Sequence, residues 1–123
     1  MIKILPLKDI EILKELNAKE ATNAQLAFCL YDGEQIDGYI LYNVTGDCAE
    51  LLLVRADDNA MIDGLIRATL ASLYDFGINK ATFSDKFDLN LLREFKILKQ
   101  EETMMNSIHS LLYQCEGCKG GCC

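Results

Sequence analysis

The chain has 123 residues and a formal net charge of −7, from 12 basic and 19 acidic side chains. This length provides a single domain with one hydrophobic core, and a composition that is half apolar and a quarter charged is typical of a globular protein. The acidic balance disfavours nucleic acid and anionic membrane surfaces as partners, because Lys and Arg supply most of the affinity for phosphate groups. The longest apolar runs, such as residues 51–54, are too short to span a bilayer.

The N-terminal residues lack the long apolar segment and the small-residue cleavage site of a signal peptide. We therefore expect a cytoplasmic protein. In that reducing compartment, clustered cysteines bind metal or do redox work more often than they form structural disulfides.

The first half of the chain predicts a strand, a helix and a three-stranded antiparallel meander. Asp9 offers a helix cap, and Asp32-Gly33 is a strong hairpin signal. Along the middle strand of the meander, period-two alternation places Ile36, Gly38 and Ile40 on one face. The predicted elements are a strand at residues 2–5, a helix at 9–20 and strands at 25–31, 35–44 and 48–55.

The second half predicts a long amphipathic helix between two strands. Asp57, Asp58 and Asn59 offer N-terminal caps, and Gly77 closes the far end. Because a helix of this length connects them, the strands before and after it are expected to pair in parallel. The predicted elements are a helix at residues 60–76, a strand at 80–84, a short helix at 88–96, a last strand at 97–105 and a short helix from about 108. We therefore predict one domain over residues 1–114 and a cysteine-rich tail over residues 115–123.

The order β–α–β–β–β–α–β–α–β, with the long helix directly after the meander, resembles the fold of the GNAT-type N-acetyltransferases. The segment 48–84 carries the resemblance most clearly, since a strand ending in Leu-Leu-Leu-Val leads through a loop into a helix, a corner at Gly77 and the next strand. Residues 91–96 stand where the family usually has an L-Y-x-K-x-G-F segment. The resemblance covers roughly residues 1–105. It implies an α/β (α+β) fold with a GNAT-like mixed sheet, followed by a short C-terminal helix and the cysteine-rich tail.

The resemblance also implies a site for acetyl-CoA. In the family, a loop of the form Q/R-x-x-G-x-G/A before the long helix cradles the pyrophosphate with backbone N–H groups, and the helix dipole adds to the attraction. Splayed strands beside this loop hold the pantetheine arm. Carried over to this chain, the residues implied in cofactor binding are Leu53, Val54, Asn59, Ala60, Met61, Ile62 and Asp63.

The loop of this chain departs from the family's pattern. Its two glycine positions fall on Ala60 and Ile62, and a β-branched residue is expected to obstruct the close approach of a phosphate. Asp57, Asp58 and Asp63 crowd the helix start. A like-charge contact at about 5 Å costs ~3 kcal/mol at an effective dielectric of about 20. Helix capping is the simpler interpretation of these aspartates.

We expect the domain to be an acetyl-CoA-dependent N-acyltransferase with a degenerate pyrophosphate loop, acting on a small-molecule or protein amine. No catalytic residue is identified, because the family's frequent general acid is a tyrosine and Leu92 stands at that position here. The identity of the acceptor and the oligomeric state stay open.

The segment 115–123 contains four of the chain's six cysteines, with the spacing C-x2-C-x3-C-C. Two thiolates on one tight turn are a common tetrahedral zinc chelate, and closely spaced thiolates also hold iron–sulfur clusters. The predicted metal ligands are Cys115, Cys118, Cys122 and Cys123.

The alternative function is therefore a non-catalytic GNAT-like module whose C-terminal cysteines bind zinc or an iron–sulfur cluster. A metal-free tail, and thiol redox or persulfide transfer by Cys115 and Cys118, are the other interpretations of this segment. Cys29 and Cys48 lie inside apolar strands and are expected to be buried.

Overall fold

The computed structural model describes residues 2–112, which form a six-stranded sheet and four helices. The elements in chain order are β1 (Ile2–Pro6), α1 (Ile10–Glu20), β2 (Leu26–Asp32), β3 (Gln35–Thr45), β4 (Cys48–Arg55), α2 (Asn59–Asp75), β5 (Lys80–Phe83), α3 (Leu89–Glu94), β6 (Met104–Met105) and α4 (Ile108–Leu112). This is the order of elements that the sequence predicts.

The strands lie in the sheet in the same order as in the chain, from β1 at one edge to β6 at the other. Each of the strands from β1 to β4 pairs antiparallel with the next, which confirms the predicted meander and adds β1 at its edge. α2 connects β4 to β5, and these two strands pair in parallel as predicted. β6 pairs antiparallel with β5, so the sheet is mixed.

The helices begin and end at residues that satisfy terminal backbone groups. The Asp9 carboxylate accepts a hydrogen bond from the N–H of Glu11 at the start of α1 (2.9 Å). α2 is followed by Gly77, whose φ of +85° suits glycine, and the N–H of Ile78 donates to the carbonyl of Leu73 (2.9 Å). Among residues 2–112, no helix combines the length and the apolar character needed to cross a membrane.

Apolar side chains cover both faces of the sheet. On one face, which we call the α2 side, the three helices α2, α3 and α4 pack over a large cluster that includes the fully buried Leu51 and Leu65. On the other face, the α1 side, Leu13 and Leu16 of α1 pack against a smaller cluster that includes Leu53. Removal of this apolar surface from water is the main term that stabilises the fold.

The register of β3 differs from simple alternation near its start. The ladder with β2 passes from Leu30↔Gly38 to Tyr31↔Ile36, so β3 carries one extra residue between them, which is a β-bulge. Ile36 therefore packs on the α1 side, whereas Ile40 is buried on the α2 side. The prediction that Ile36 shares a face with Ile40 is wrong for this reason.

The last strand is much shorter than predicted. The sequence favours a strand over residues 97–105, but only Met104–Met105 pair with β5. The preceding residues form a turn instead, in which the N–H of Lys99 donates to the Glu102 carboxylate (2.8 Å) and the N–H of Glu102 donates back to the Lys99 carbonyl (3.1 Å). A side-chain oxygen that binds the backbone in this way competes with strand pairing.

Candidate functional site

β4 and β5 are paired over only part of their length. The parallel ladder ends at Leu51↔Phe83, where the N–H of Ser84 donates to the Leu51 carbonyl (2.9 Å) and its hydroxyl donates to the next carbonyl along β4. β4 itself continues to Arg55. β5 ends at Phe83, so residues 52–55 lie beyond the ladder and have no strand partner on the β5 side among the described residues. We call this unpaired edge of β4 the β4–β5 cleft.

A β-bulge lies at the level where the ladder of β4 with β5 ends. The pairing of β3 with β4 passes from Leu41↔Leu53 to Tyr42↔Leu51, so Leu52 is the extra residue. A bulge bends its strand and increases the local twist. The side chains on either side of it confirm the change of direction, because Leu51 packs on the α2 side and Leu53 packs on the α1 side. The bulge thus lies at the inner end of the β4–β5 cleft.

The start of α2 follows the outer end of the cleft after a short loop. Asp58 caps this helix, since its carboxylate accepts from the N–H of Met61 (2.8 Å) and its carbonyl accepts from the N–H of Ile62 (3.1 Å). Asn59 and Ala60 are exposed in the first turn. The carboxylate of Asp58 therefore stands where an anion would meet the first-turn N–H groups.

Of the other predicted cofactor residues, four pack in the hydrophobic core and one forms an ion pair. Leu53 is buried and Val54 is half-buried. Met61 and Ile62 are half-buried and pack against the α2-side core. The Ile62 side chain is thus directed into the core, away from the exposed first turn of α2.

Asp63 is the residue in the ion pair. Arg67, one turn later, donates from Nε to the Asp63 carboxylate (2.9 Å) and from Nη2 to the carbonyl of Phe95 after α3 (2.5 Å). This pair compensates the charge of Asp63 and connects α2 to α3. The negative charge that an anion would meet at the helix start comes mainly from the exposed Asp57 and Asp58.

A polar cluster on the α1 side lies beside the outer end of the cleft. The Glu20 carboxylate, at the end of α1, accepts from Nε and Nη2 of Arg55 (3.1 Å each) and from the hydroxyl of Tyr39 on β3. Lys86, in the loop after β5, donates from Nζ to the Glu20 carbonyl (3.1 Å). The cluster therefore ties together α1, β3, the end of β4 and the loop after β5.

The charges of this cluster are fixed by its own contacts. Hydrogen bonding to Arg55 holds the pKa of Glu20 below its ordinary value, although burial opposes the shift. Burial, and then the neighbouring Glu20 carboxylate, raise the pKa of Tyr39 to about 12. At neutral pH Glu20 is a carboxylate and Tyr39 is a neutral donor. Neither is therefore placed to exchange a proton with a substrate near pH 7.

Sequence patterns give no signal for most of this cluster. Glu20 meets Tyr39, Arg55 and Lys86, which are 19, 35 and 66 positions away along the chain. Alternation along β3 would have placed Tyr39 on the face of the sheet opposite Ile40, but nothing local identifies its partner. Ser84 was likewise expected only as the end of a strand.

The cysteines divide between the described domain and the tail. Cys29 is fully buried in β2, and burial raises the pKa of its thiol to about 11, so this thiol stays protonated. Cys48 is half-buried, not buried as expected. The four predicted metal ligands of the tail lie outside the described residues. Within residues 2–112, there is no group of three or more His, Cys, Asp and Glu side chains that could hold a metal ion.

Comparison with solved structures finds the same architecture in acetyltransferases. A GNAT family acetyltransferase from Brucella melitensis, solved in complex with acetyl-CoA, has a TM-score of 0.62 and 16% identity, over 85% of this chain and 86% of that chain. An aminoglycoside acetyltransferase from an uncultured soil metagenomic sample, solved in complex with trehalose, has a TM-score of 0.59 and 17% identity, over 82% and 89%. A GNAT family acetyltransferase from Streptococcus pneumoniae has a TM-score of 0.57 and 12% identity, over 97% and 96%.

No protein-family model matches the chain, and no curated protein matches it. The structural similarity nevertheless extends over nearly the whole of the described domain. The chain therefore has the GNAT-type fold that its element order predicts, a mixed sheet with helices on both faces. At such low identities a shared fold assigns no roles to individual residues.

Proposed function

We propose that the chain is an acyl-CoA-dependent N-acyltransferase that binds the pantetheine arm of its cofactor in the β4–β5 cleft. One observation carries the proposal: β4 continues to Arg55 after its ladder with β5 has ended at Leu51↔Phe83. Beyond that point the β5 side of residues 52–55 has no neighbouring strand among the described residues. An extended arm that contains two amide groups can pair with such an edge as an added strand does.

The residues around the cleft fit an acyl-CoA molecule in two places. Backbone groups of Leu53 and Val54 would hold the arm, and the N–H groups of Asn59 and Ala60 would meet the diphosphate at the start of α2. Arg55 stands between these two places in the chain and is paired with Glu20, but 59% of its side chain is exposed, so its positive charge would favour a phosphate nearby. When bound, the thioester supplies an activated acyl group for transfer to an amine. The acetyl-CoA bound to the Brucella melitensis protein of the same fold supports this choice of cofactor.

Asp58 limits how well the diphosphate of the cofactor can bind at the start of α2. Because its carboxylate already accepts from the N–H of Met61, a diphosphate at the helix start has to displace this carboxylate or bind next to it. The Asp58 carboxylate and the neighbouring diphosphate would repel each other, although exposure to solvent reduces the cost in binding free energy. We therefore expect weaker cofactor binding than a loop with two glycines and no aspartate would give.

The acceptor in this proposal is an amine, either of a small molecule or of a protein. A small molecule is supported by the structural neighbour that is named an aminoglycoside acetyltransferase. The net charge of −7 also favours the approach of a cationic amine. We assign no general acid or base, since Leu92 is buried in the core and the hydroxyl of Tyr39 is held by Glu20.

Titration of the full-length chain with acetyl-CoA tests the cofactor assignment. We expect a saturable rise in melting temperature, together with backbone amide NMR shifts concentrated in residues 52–60. Adenosine 3′,5′-diphosphate, which lacks the pantetheine arm, is the matched control ligand and should leave the amides of residues 52–55 unchanged. The proposal fails if millimolar acetyl-CoA produces neither effect, or if both ligands shift the same signals.

Acyl transfer itself requires a separate assay. Acetyl-CoA is incubated with the chain and a set of primary amines that includes an aminoglycoside, and the acceptors are examined by mass spectrometry. Detection of released thiol is unsuitable because the chain itself contains six cysteines, whose accessible thiols would add to the signal. We expect at least one amine to gain an acetyl group only when the chain is present.

The tail supports a second candidate function, metal binding by a GNAT-like module. The observation in its favour is the C-x2-C-x3-C-C spacing in residues 115–123, because closely spaced cysteines are typical ligands of zinc and of iron–sulfur clusters. We expect about one metal site per chain after anaerobic purification. A variant with Cys115, Cys118, Cys122 and Cys123 all replaced by Ser should lose the metal, whereas a Cys29→Ala, Cys48→Ala variant should keep it. A chain free of metal with fully reactive tail thiols would rule this function out.

A further inference from the structure

A cavity that is separate from the β4–β5 cleft lies between α3 and α4. It is bordered by the end of α3, by residues 96–102 and by α4. Its volume of about 530 Å³ is within the usual range for small-molecule sites. No residue of the β4–β5 cleft lines it. Leu98 and Leu111 supply apolar wall, and the remaining lining is largely polar.

The charged residues around this cavity are mostly cationic. Among the described residues, Arg93, Lys96 and Lys99 line it, against a single acid, Glu102. The carboxylate of Glu102 already accepts from the backbone N–H of Lys99 (2.8 Å), so it is engaged in holding the turn. A chain with a net charge of −7 thus gathers three of its 12 basic residues around one cavity. The local potential there favours an anion.

Arg93 is fixed in place by hydrogen bonds that leave one of its donors unused. Its Nη2 donates to the carbonyl of Glu102 (3.1 Å), and its Nη1 donates to the side-chain oxygen of Asn90 (3.3 Å). Its Nε is buried and has no hydrogen-bond partner within the described part of the chain. Buried donors in native proteins are nearly always paired, and residues 2–112 provide no acceptor for this N–H.

We propose that the cavity binds a small organic anion, a carboxylate or a phosphate ester. Its negative charge lies near the guanidinium of Arg93 and the ammonium groups of Lys96 and Lys99. The apolar part of the ligand contacts Leu98 and Leu111. Arginine suits this role because its planar fork presents parallel donors to both carboxylate and phosphate oxygens. The proposal does not depend on the binding of acyl-CoA in the β4–β5 cleft.

The test follows the Nε–H NMR signal of Arg93 while the full-length chain is titrated at low salt. Hexanoate serves as the carboxylate with an apolar part, inorganic phosphate as the phosphate, and hexanol as the neutral control. We expect a saturable shift of the Arg93 signal with hexanoate, phosphate or both, and none with hexanol. A response to only one of the two anions identifies the kind of charged group that the cavity accepts.

Substitutions separate this site from general attraction of anions to lysines. Arg93→Lys keeps the charge but removes the fork, and should weaken binding about ten- to a hundredfold, as expected for loss of a hydrogen bond to a charged group. Lys99→Gln should weaken it about two- to fivefold. Lys14→Gln is the matched control, because it removes the same charge from an exposed position on α1 and should leave the affinity unchanged.

Lys96→Gly provides a variant that keeps the fold if Arg93→Lys does not. Lys96 has a φ of +65°, a conformation that glycine adopts more easily than lysine, so the change removes a cation without straining the backbone. It should weaken anion binding about as much as Lys99→Gln. The proposal is overturned if neither anion shifts the Arg93 signal, or if Lys14→Gln weakens binding as much as the variants of the cavity.

Discussion

Gly38 on β3 lies directly against the carbonyl oxygen of Arg55 at the end of β4. A Cβ atom at position 38 would stand 2.8 Å from that oxygen and 3.2 Å from the Cβ of Ala56. These contacts are closer than side-chain atoms normally make. The absence of a side chain at Gly38 therefore lets β3 pass under the point where β4 enters the loop before α2, and so positions the outer end of the β4–β5 cleft.

Gly38→Ala should displace this part of β4. We expect a loss of about 1–3 kcal/mol in the free energy of unfolding, typical of overpacking, and weaker binding of acetyl-CoA. Urea denaturation measures the first effect and calorimetric titration the second. Unchanged stability would show that residues 55–56 move freely and that Gly38 does not position the cleft.

Gly64→Ala is the matched control, with the opposite expected sign. Gly64 lies inside α2, and an added Cβ would meet only the Cδ1 atom of Ile4 at 3.3 Å, which is the end of a flexible side chain. Because alanine is favoured over glycine in a helix by roughly 1 kcal/mol, this variant should be as stable as the original chain or more stable. A similar loss in both variants would point to a general intolerance of added methyl groups.

The order of elements is predictable because its signals are local. The hairpin turn at Asp32-Gly33, the cap at Asp9 and the corner at Gly77 each act within a few residues, and the structure places all three as expected. The parallel pairing of β4 with β5 follows from the long helix between them. Each of these features depends on the residues beside it and on general rules of connection.

The shape of the candidate site is not predictable in this way. The bulge at Leu52 lies where the ladder of β4 with β5 ends, and the same apolar run would suit a regular strand. The pairing of Glu20 with Arg55 joins residues 35 positions apart. The turn at Lys99 and Glu102 replaces most of the strand predicted over residues 97–105, because a side chain there competes for the backbone N–H.

Asp58→Asn should improve cofactor binding. The change removes a negative charge from the start of α2 but keeps the cap, since Asn and Asp cap helices about equally well. We expect acetyl-CoA to bind about fivefold more tightly, a gain of about 1 kcal/mol in binding free energy. The repulsion between the Asp58 carboxylate and the diphosphate is about a few kcal/mol at an effective dielectric of about 20, and exposure to solvent and salt reduces it. Calorimetric titration at low and high salt measures the gain, which should shrink as salt rises.

Asp47→Asn is the control for this change in net charge. Asp47 is exposed in the turn at the opposite end of β4, so its replacement should leave the affinity for acetyl-CoA nearly unchanged. Equal affinities of the Asp58→Asn variant and the original chain would mean that the diphosphate does not bind at the start of α2.

Glu20→Gln should lower stability in a way that depends on pH. The lowered pKa of Glu20 means that its ion pair stabilises the fold above the ordinary value of 4.5 and that this contribution is lost as pH falls through the pKa of the folded state. At neutral pH we expect a loss of about 1 kcal/mol from removal of the charged hydrogen bonds to Arg55. Urea denaturation across the acid range measures the difference, which should disappear in acid. A difference that stays constant with pH would mean that the charge of Glu20 contributes nothing.

The ionisation of Tyr39 gives an independent measure of the same cluster. Tyr39 and Tyr42 both have a pKa raised to about 12, Tyr42 by burial alone and Tyr39 by burial together with the Glu20 carboxylate. Because folding favours the neutral phenol in each case, the stability from these groups is present below their ordinary pKa of 10.0 and is lost as pH rises towards 12. In chains with ¹³C-labelled tyrosine, Tyr39→Phe and Tyr42→Phe assign the Cζ signals of these two residues. Glu20→Gln should then lower the pKa of Tyr39 and leave that of Tyr42 unchanged, because only Tyr39 donates to Glu20. An equal change at both tyrosines would show that the substitution loosens the core instead of removing one carboxylate.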